Sequence, residues 1–309
     1  MDCPHPCEEH RRVQHRWHSI NCWALRGGRQ HRFLRMTNDR DFSRQSFLGA
    51  HSEELFANLR VAIVGLGGGG SHIAQQLAHL GVGHFRLIDP DNIEASNLNR
   101  LIGGTQDDVD NERPKVEIAT RLVLGIRPWA KVTSRQAKWQ EADDLIRDAH
   151  VLFGCVDGYQ QRDYLETAAR RFGLPYIDIG MDVTRLHDAS FAVAGQMIMT
   201  LPDNPCMRCL GFLTPDKLAQ EENRYGDVGI NPQVVWTNGM LASLAVGAFA
   251  KLFTPWFSAE ENYTWLELDG NAQTVSRSQQ PDYFPRLPVC PHHGGANGLG
   301  EFGFDIRRS

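Results

Sequence analysis

Short apolar runs alternate along the chain with longer stretches in which apolar residues return every three or four positions. The runs have the length of strands and occupy residues 61–64, 85–88, 132–138, 151–155, 176–180 and 191–199. The stretches with helical spacing occupy residues 41–58, 73–80, 116–126, 142–149, 161–173 and 234–253. Strands that alternate with helices in this way predict a doubly wound α/β fold with a largely parallel sheet.

A glycine cluster separates the first strand from the helix that follows it. Gly65-x-Gly67-x-x-Gly70, with Gly68 inside it, fits the nucleotide-binding fingerprint of Rossmann-like sheets. Glycines let the backbone turn tightly and approach phosphate oxygens, and a helix N-terminus supplies N–H donors. We predict Ser71 as the N-cap of that helix. Asp89 ends the second strand, where a carboxylate can bind ribose hydroxyls of NAD as well as ATP.

The segment beyond Asp89 favours triphosphate chemistry over hydride transfer. It is polar and ends at Arg100, and Lys115 begins a further helix. A dehydrogenase needs an apolar slot for its nicotinamide, whereas nucleotidyl transfer needs cations for a triphosphate and a carboxylate for magnesium. Arg100 and Lys115 are suitable cations, and Asp157, after the strand at 151–155, is a suitable metal carboxylate.

Taken together, these motifs resemble the ThiF/MoeB/HesA family, the adenylating domain shared with ubiquitin-activating E1 enzymes. The resemblance covers roughly residues 44–293 and implies a Rossmann-like, mostly parallel sheet with an antiparallel C-terminal extension. It implies that Gly65, Gly67, Gly68 and Gly70 hold ATP, and that Asp89 binds its ribose. It also implies phosphate contacts for Asn97, Arg100 and Lys115, and a magnesium ion on Asp157. The family usually has glutamine after the arginine, where this chain has Leu101.

A further family-like feature lies upstream of the first strand. Ser43-Arg44-Gln45 resembles the arginine finger that reaches into the neighbouring subunit's site in this family. The resemblance therefore implies a catalytic role for Arg44, beside Arg100, Lys115 and Asp157, and a homodimer. The alternative is a solvated surface arginine.

Two cysteine-bearing knuckles stand far apart in the sequence. They are Cys206-Met207-Arg208-Cys209 and Cys290-Pro291-His292-His293. Three thiolates and one imidazole suit a tetrahedral structural zinc, and the family usually carries two Cys-x-x-Cys pairs in these places. We take Cys206, Cys209, Cys290 and His293 as the ligands, with His292 as the rival for the fourth. Such a zinc would clip segment 290–293 to segment 206–209, whereas the alternative is a set of reduced surface cysteines.

The resemblance implies that the enzyme adenylates the C-terminal carboxylate of a small ubiquitin-like or sulfur-carrier protein, or of a peptide. Relatives that form thioesters carry their nucleophilic cysteine after the first knuckle, but residues 210–289 contain no cysteine. A thiolate is not easily replaced as a nucleophile, so we expect no thioester step. Two alternatives stay open: an NAD-dependent oxidoreductase, and a non-catalytic module that docks a carrier protein.

The composition of the chain bears on its binding partners and on its cellular compartment. A net charge of -5 disfavours nucleic acid, and seven cysteines without a secretory signal favour a reducing cytoplasm. Polar residues interrupt segment 234–253, which predicts a buried helix instead of a membrane span. We predict that residues 1–40 are a disordered extension and that an adenylation domain occupies residues 41–309. The cysteines and histidines of residues 1–40 would also suit a small metal-binding site. Met36 is an alternative start.

Overall fold

Eight strands form one sheet in the order β3-β2-β1-β4-β5-β6-β7-β8. The strands from β3 to β5 pair in parallel, whereas β5 to β8 pair as antiparallel neighbours. The fold is therefore α/β with a parallel half and an antiparallel C-terminal extension, as predicted. The bounds are β1 Arg60–Val64, β2 His84–Ile88, β3 Lys131–Arg135, β4 Val151–Gly154, β5 Tyr176–Arg185, β6 Phe191–Thr200, β7 Thr264–Asp269 and β8 Thr274–Arg277.

The helices alternate with the strands through the parallel half. Their bounds are α1 Ser52–Asn58, α2 Gly68–Leu80, α3 Gln106–Asp110, α4 Lys115–Ile126, α5 Asp143–Arg147, α6 Tyr159–Arg171, α7 Pro215–Asn223 and α8 Val235–Phe253. Short 3₁₀ helices occupy Ser43–Leu48, Ala95–Asn97, Trp139–Glu141 and Gln280–Tyr283. The computed structural model describes residues 43–202, 204–223, 232–257, 264–283 and 290–293, all within one compact unit, Ser43–Ser309. The predictions for residues 1–40 and for Met36 fall outside the described residues.

Apolar side chains cover both faces of the sheet. On one face, α2, α4 and α8 bury Ile73, Leu77, Val123 and Phe249 against the strands. On the other face, α5 and α6 bury a second core with the first knuckle. Truncating such a fully buried Leu or Phe to Ala typically costs about 2–5 kcal/mol. The predicted buried helix is confirmed as α8, and no helix among the described residues is long and apolar enough to cross a membrane.

The sheet order places a crevice above its parallel half. Successive strands run outward from β1 to β2 and β3, and the chain then returns to the other side of β1 as β4. The connections after β1 and β4 therefore leave in opposite directions, and ligands of such sheets bind at the carboxyl ends of those strands. The glycine cluster follows β1, and Asp157 follows β4.

Several predicted elements differ in extent from the structure. The strand predicted at 132–138 ends at Arg135, and the helix predicted at 142–149 is the shorter α5, Asp143–Arg147. The strand predicted at 176–180 continues to Arg185. Its polar distal half has no apolar run, but it pairs with β6 as far as Phe191. Ladder hydrogen bonds, and not burial, extend that strand.

Two histidines at the amino ends of the strands make the fold sensitive to acid. The backbone N–H of Arg60 donates to Nδ1 of His150 at 3.1 Å, so this nitrogen must be unprotonated. Burial, followed by the charge of Arg60, lowers the pKa of His150 to about 4. Burial and neighbouring cations lower the pKa of His84 as well. The unfolded chain binds these protons first, so stability contributed by the neutral rings is present above pH 6.5 and lost as pH falls toward 4.

We expect His150→Asn to reduce this acid sensitivity, because the Asn amide oxygen keeps an acceptor that does not titrate. Between pH 7 and pH 4 the wild-type free energy of unfolding should fall more than that of the variant, by on the order of 1 kcal/mol after solvent screening. Urea denaturation at both pH values measures the difference. His79→Asn, on an exposed side chain, is the control; equal acid sensitivity of His150→Asn and wild type would contradict this account.

Candidate active site

A cavity of about 370 Å³ lies at the carboxyl ends of β1, β2, β4 and β5. Most of the predicted site residues line it: Gly65, Gly67, Gly68, Asp89, Asn97, Arg100, Lys115 and Asp157. Two predicted residues, Gly70 and Arg44, are not among the lining residues. Residues that are separated by almost a hundred positions in the chain therefore meet around one cavity.

The glycine cluster makes a turn that side chains would block. Gly65 has φ +85°, and a Cβ on it would lie 2.3 Å from the carbonyl oxygen of Cys155. A Cβ on Gly70 would lie 1.9 Å from the carbonyl oxygen of Gly65. Gly70 thus permits close packing of the helix on the turn, which is why it is needed although it does not line the cavity.

The helix after the turn begins earlier than predicted. α2 starts at Gly68 with Gly67 as its N-cap, so the prediction of Ser71 as N-cap is wrong. Ser71 lies inside the first turn, where its hydroxyl donates to the carbonyl of Gly68 and accepts from the N–H of Ile102. The first N–H groups of α2 carry no side-chain cap and start beside the cavity. Such N–H groups at a helix N-terminus favour an anion.

Asp89 is a buried carboxylate whose orientation is fixed by the backbone. Its Oδ2 accepts from the N–H of Leu66 at 2.5 Å, and its Oδ1 accepts from the N–H of Asp91 at 2.9 Å. Burial raises the pKa of Asp89, while the nearby charge of Lys115 lowers it. Each oxygen keeps a second lone pair, so the carboxylate can also accept hydrogen bonds from a ribose.

The two predicted cations lie at the cavity wall. Arg100 donates to the carbonyl of Ser96 at 2.6 Å and to Asn99 Oδ1 at 3.0 Å, and its Cδ lies near the turn, 3.3 Å from where a Gly68 Cβ would stand. Lys115 Nζ lies 2.9 Å from Asp91 Oδ2. Both side chains therefore carry positive charge toward the cavity that the turn bounds.

The departure from the family pattern at position 101 has a packing explanation. Leu101 is 5% exposed and packs with Ile93 and Ile118 in a small apolar cluster. Leu101 therefore packs in the core next to Arg100 and does not line the cavity.

Asp157 is exposed and directly follows the β4 end of the sheet. Gln233 Nε2 lies 3.5 Å from its Oδ1, the limit for a hydrogen bond, and no other hydrogen bond to its oxygens is present within the described part of the chain. An accessible carboxylate beside a cavity with two cations suits Mg²⁺, which binds proteins through one or two carboxylates and takes its remaining ligands from water and phosphate.

Arg162 is the cavity residue that sequence reasoning passed over. It is 7% exposed, lines the cavity, and forms an ion pair with the buried Asp178. Its guanidinium also donates to the carbonyl of Ile179 at 3.1 Å, and Tyr176 donates to Asp178 at 2.9 Å. Burial raises the pKa of Asp178 to about 6. The sequence signal that could have identified it is the position of this arginine in the first turn of the helix that follows Asp157.

Cys155 also lines the cavity, and it behaves as the predicted core thiol. Burial raises the pKa of this thiol well above its usual range. A thiol in that state is a poor nucleophile.

The two knuckles meet away from the cavity. Sγ of Cys209 lies 3.6 Å from Sγ of Cys206 and 3.4 Å from Sγ of Cys290. His292 Nδ1 lies 3.4 Å from the sulfurs of both Cys206 and Cys209. Four ligand atoms around a tetrahedral zinc, with Zn–S near 2.3 Å, would stand about 3.7 Å apart. The donor set and spacing therefore fit zinc.

The fourth member of this group differs from the one predicted. His292 joins the three cysteines, whereas His293 forms a separate group with Glu166 and Cys206. His293 thus approaches only one of the three cysteines, Cys206, whereas His292 approaches all three. The geometry therefore favours His292, the rival, over His293.

The first knuckle is fastened to α6. Both oxygens of Asp163 accept from Arg208 at 2.7 Å, and both oxygens of the buried Glu166 accept from the N–H of Met207, at 3.0 and 3.2 Å. Arg170 donates to the carbonyls of Pro202 and Asn204. Three successive turns of one helix thus hold the first knuckle and the segment just before it.

Comparison with known proteins places this fold and cavity in a family. Residues 40–289 match the ThiF family. The chain belongs to the ThiF family.

Curated ThiF-type relatives align over different shares of their length. The sulfur carrier protein ThiS adenylyltransferase of Escherichia coli (strain K12) is 29% identical over 84% of this chain and 98% of that protein. The SAMP-activating enzyme E1 of Haloferax volcanii is 31% identical over 53% of this chain and 57% of that enzyme. The molybdopterin-synthase adenylyltransferase of Escherichia coli (strain K12) is 32% identical over 52% of this chain and 62% of its own. The chain thus spans about three fifths of the last two relatives.

Solved structures share the fold at low sequence identity. E. coli MccB with ATP superposes with a TM-score of 0.61 and 21% identity, covering 78% of this chain and 68% of that one. MccB in complex with N-formylated MccA gives a TM-score of 0.65 and 20% identity, covering 82% and 75%. The fold of this chain is therefore shared with MccB.

Proposed function

We propose that this ThiF-family chain is an E1-like adenylyltransferase that uses ATP to activate the C-terminal carboxylate of a small ubiquitin-like or sulfur-carrier protein. The observation that carries the proposal is the single cavity that joins the glycine turn, Asp89, Arg100, Lys115 and Asp157. Relatives named for the activation of sulfur carriers, molybdopterin synthase and SAMP support the substrate class. A peptide substrate is the variant, and the structural neighbour MccB was solved in complex with N-formylated MccA.

The reaction needs charge neutralisation more than proton transfer. A carboxylate oxygen of the substrate attacks the α-phosphorus of ATP, the bond from that phosphorus to the bridging oxygen breaks, and pyrophosphate leaves with the electron pair. The products are an acyl-adenylate and pyrophosphate. A carboxylate is ionised at neutral pH, so no base is required. Groups fixed before reaction, here the cations and the N–H groups of α2, stabilise developing charge without reorganisation.

Each residue then has a separate task. Asp89 orients the ribose, the turn at 65–70 and Asn97 hold the phosphates, and Arg100 and Lys115 balance their charge. Asp157 would hold Mg²⁺, which when bound neutralises phosphate oxygens. Since residues 210–289 contain no cysteine, the acyl-adenylate passes to a nucleophile from another molecule without a thioester on that segment.

An oxidoreductase fits this cavity less well. The cavity lining carries Arg100, Lys115 and Asp157, three charged side chains that hydride transfer to or from a nicotinamide does not call for. Exchange of labelled pyrophosphate into ATP, dependent on the carrier protein, tests the proposal. Exchange without added carrier, or nicotinamide binding with no exchange, would contradict it; ATP binding without exchange would favour the docking module.

We further propose a homodimer in which Arg44 completes the partner's site. Arg44 is exposed on the 3₁₀ helix Ser43–Leu48 and is not among the residues that line its own cavity. Beside it, Phe47 is 65% exposed and meets the exposed Trp256 edge to face at 5.8 Å. Exposed aromatic side chains are common in the cores of interfaces.

Mixed dimers test the role of Arg44. Arg44→Ala and Asp157→Ala should each lose pyrophosphate exchange alone, by about 100-fold or more, which is typical of removing one charge-stabilising group. Mixing the two should restore up to a quarter of wild-type exchange per total site, because one mixed dimer site receives neither change. Failure of the mixture to recover would contradict action across the dimer, as would an unmixed Arg44→Ala protein with full activity.

We assign Cys206, Cys209, Cys290 and His292 as the ligands of the proposed zinc ion. Four protein ligands leave no open position, so the zinc would have a structural and not a catalytic role.

A further inference from the structure

Three side chains, joined by hydrogen bonds, form the wall at one side of the cavity. Trp139 and Gln140 follow β3 in the 3₁₀ helix Trp139–Glu141, and Gln161 lies in the first turn of α6. All three line the cavity, and Trp139 and Gln140 are only 4% and 5% exposed. In the sheet order, β2 with Asp89 stands between β3 and the glycine turn of β1. A nucleotide with its phosphates at the turn and its ribose on Asp89 therefore brings its base toward this wall.

The wall fixes the polarity of the Gln161 amide. Trp139 Nε1 donates to Gln161 Oε1 at 2.9 Å, and Gln140 Nε2 donates to the same oxygen at 3.2 Å. An indole N–H can only donate, so the oxygen end of Gln161 must face Trp139. The amide nitrogen then occupies the other end of the carboxamide. Among the hydrogen bonds of the described residues, none uses this nitrogen.

We propose that Gln161 recognises the base of ATP by donating a hydrogen bond from Nε2 to an adenine ring nitrogen. Adenine carries lone pairs on its ring nitrogens N1, N3 and N7, so it offers an acceptor on each edge. Trp139 acts as a positioning residue, because its N–H prevents the amide from turning its oxygen to the cavity. This inference rests on the proposed function, since it takes ATP as the ligand.

Calorimetry of ATP binding to the full chain, with Gln161→Leu and Gln161→Glu, provides the test. Removing one hydrogen bond of ordinary strength weakens binding about 10-fold, so Gln161→Leu should raise the Kd for ATP by about that factor. Gln161→Glu keeps an oxygen for Trp139 to donate to but replaces the free donor by an acceptor, so its loss should be at least as large. Gln76→Leu is the matched control: Gln76 lies on α2, bonds to Ser243 and does not line the cavity.

Ring analogues of ATP identify the contact independently of folding. The analogues are 1-deaza, 3-deaza and 7-deaza ATP, each of which lacks one ring nitrogen. One of them should bind the wild-type protein about 10-fold more weakly than ATP does. The same analogue and ATP should bind the Gln161→Leu variant equally well. Equal ATP affinity of wild type and both Gln161 variants would overturn the inference, as would analogue losses that are the same in wild type and Gln161→Leu. A wild-type protein that does not bind ATP at all would overturn the proposed function instead.

Discussion

Asp157→Ala is expected to abolish substrate-dependent pyrophosphate exchange while leaving the fold intact. The side chain is exposed, and among the described residues its one hydrogen bond is the long one to Gln233, so its removal disturbs no core. If its carboxylate holds magnesium on the phosphates, the loss should reach about 100-fold to 1,000-fold, as for other groups that stabilise transition-state charge. Exchange rates at saturating ATP and carrier, taken across a magnesium titration, measure the effect.

The magnesium dependence separates a metal role from a general loss of charge. Asp157→Asn keeps the size of the side chain but weakens a hard-cation ligand, so it should need more magnesium than wild type. Asp188→Ala, at an exposed acid in the β5–β6 turn, is the control and should exchange normally. Near-native exchange by Asp157→Ala would show that the metal is held elsewhere.

The second large effect is expected at the knuckles. Cys206→Ser should lose zinc and lower the midpoint of thermal unfolding by several degrees, because binding of a structural metal is part of the folding free energy. The adjacent histidines give the matched pair: His292→Ala should lose zinc, whereas His293→Ala should keep it. Metal analysis of the purified proteins and thermal unfolding measure both. Zinc retained by His292→Ala would contradict the assignment of His292 as a ligand, and a metal-free wild type would contradict the zinc site itself.

Much of the fold could be predicted because the sequence signal and the physical cause coincide. The buried strands of the parallel half are short apolar runs, and the helices between them have clear apolar faces, so their order followed from periodicity. The distal half of β5 gave no such signal. Asp182 and Thr184 are polar, and their place in a strand depends on pairing with residues of β6 that lie about ten positions further on.

The site was predictable where chemistry restricts residue type. Asp89 and the glycine turn lie where the fingerprint indicated, and Arg100 and Lys115 meet at the same cavity. The start of α2 was missed because Ser71 is a good capping residue in general, yet glycines at 67–70 allow the helix to begin one turn earlier. Arg162 was missed because its meaning depends on Asp178, which only the folded sheet brings beneath it. The Cys-x-x-His spacing favoured His293, and only the folded loop shows that His292 is the histidine that joins the three cysteines.

Helix α6 connects the cavity to the first knuckle. Its first turn provides Gln161 and Arg162 to the nucleotide cavity, and its later turns hold Arg208 and Met207 through Asp163 and Glu166. Whatever loosens the knuckle therefore also loosens the anchor of the cavity wall. If a metal is bound at the knuckles, thermodynamic linkage means that bound nucleotide should tighten the binding of that metal, and that a chelator should weaken nucleotide affinity before it unfolds the sheet.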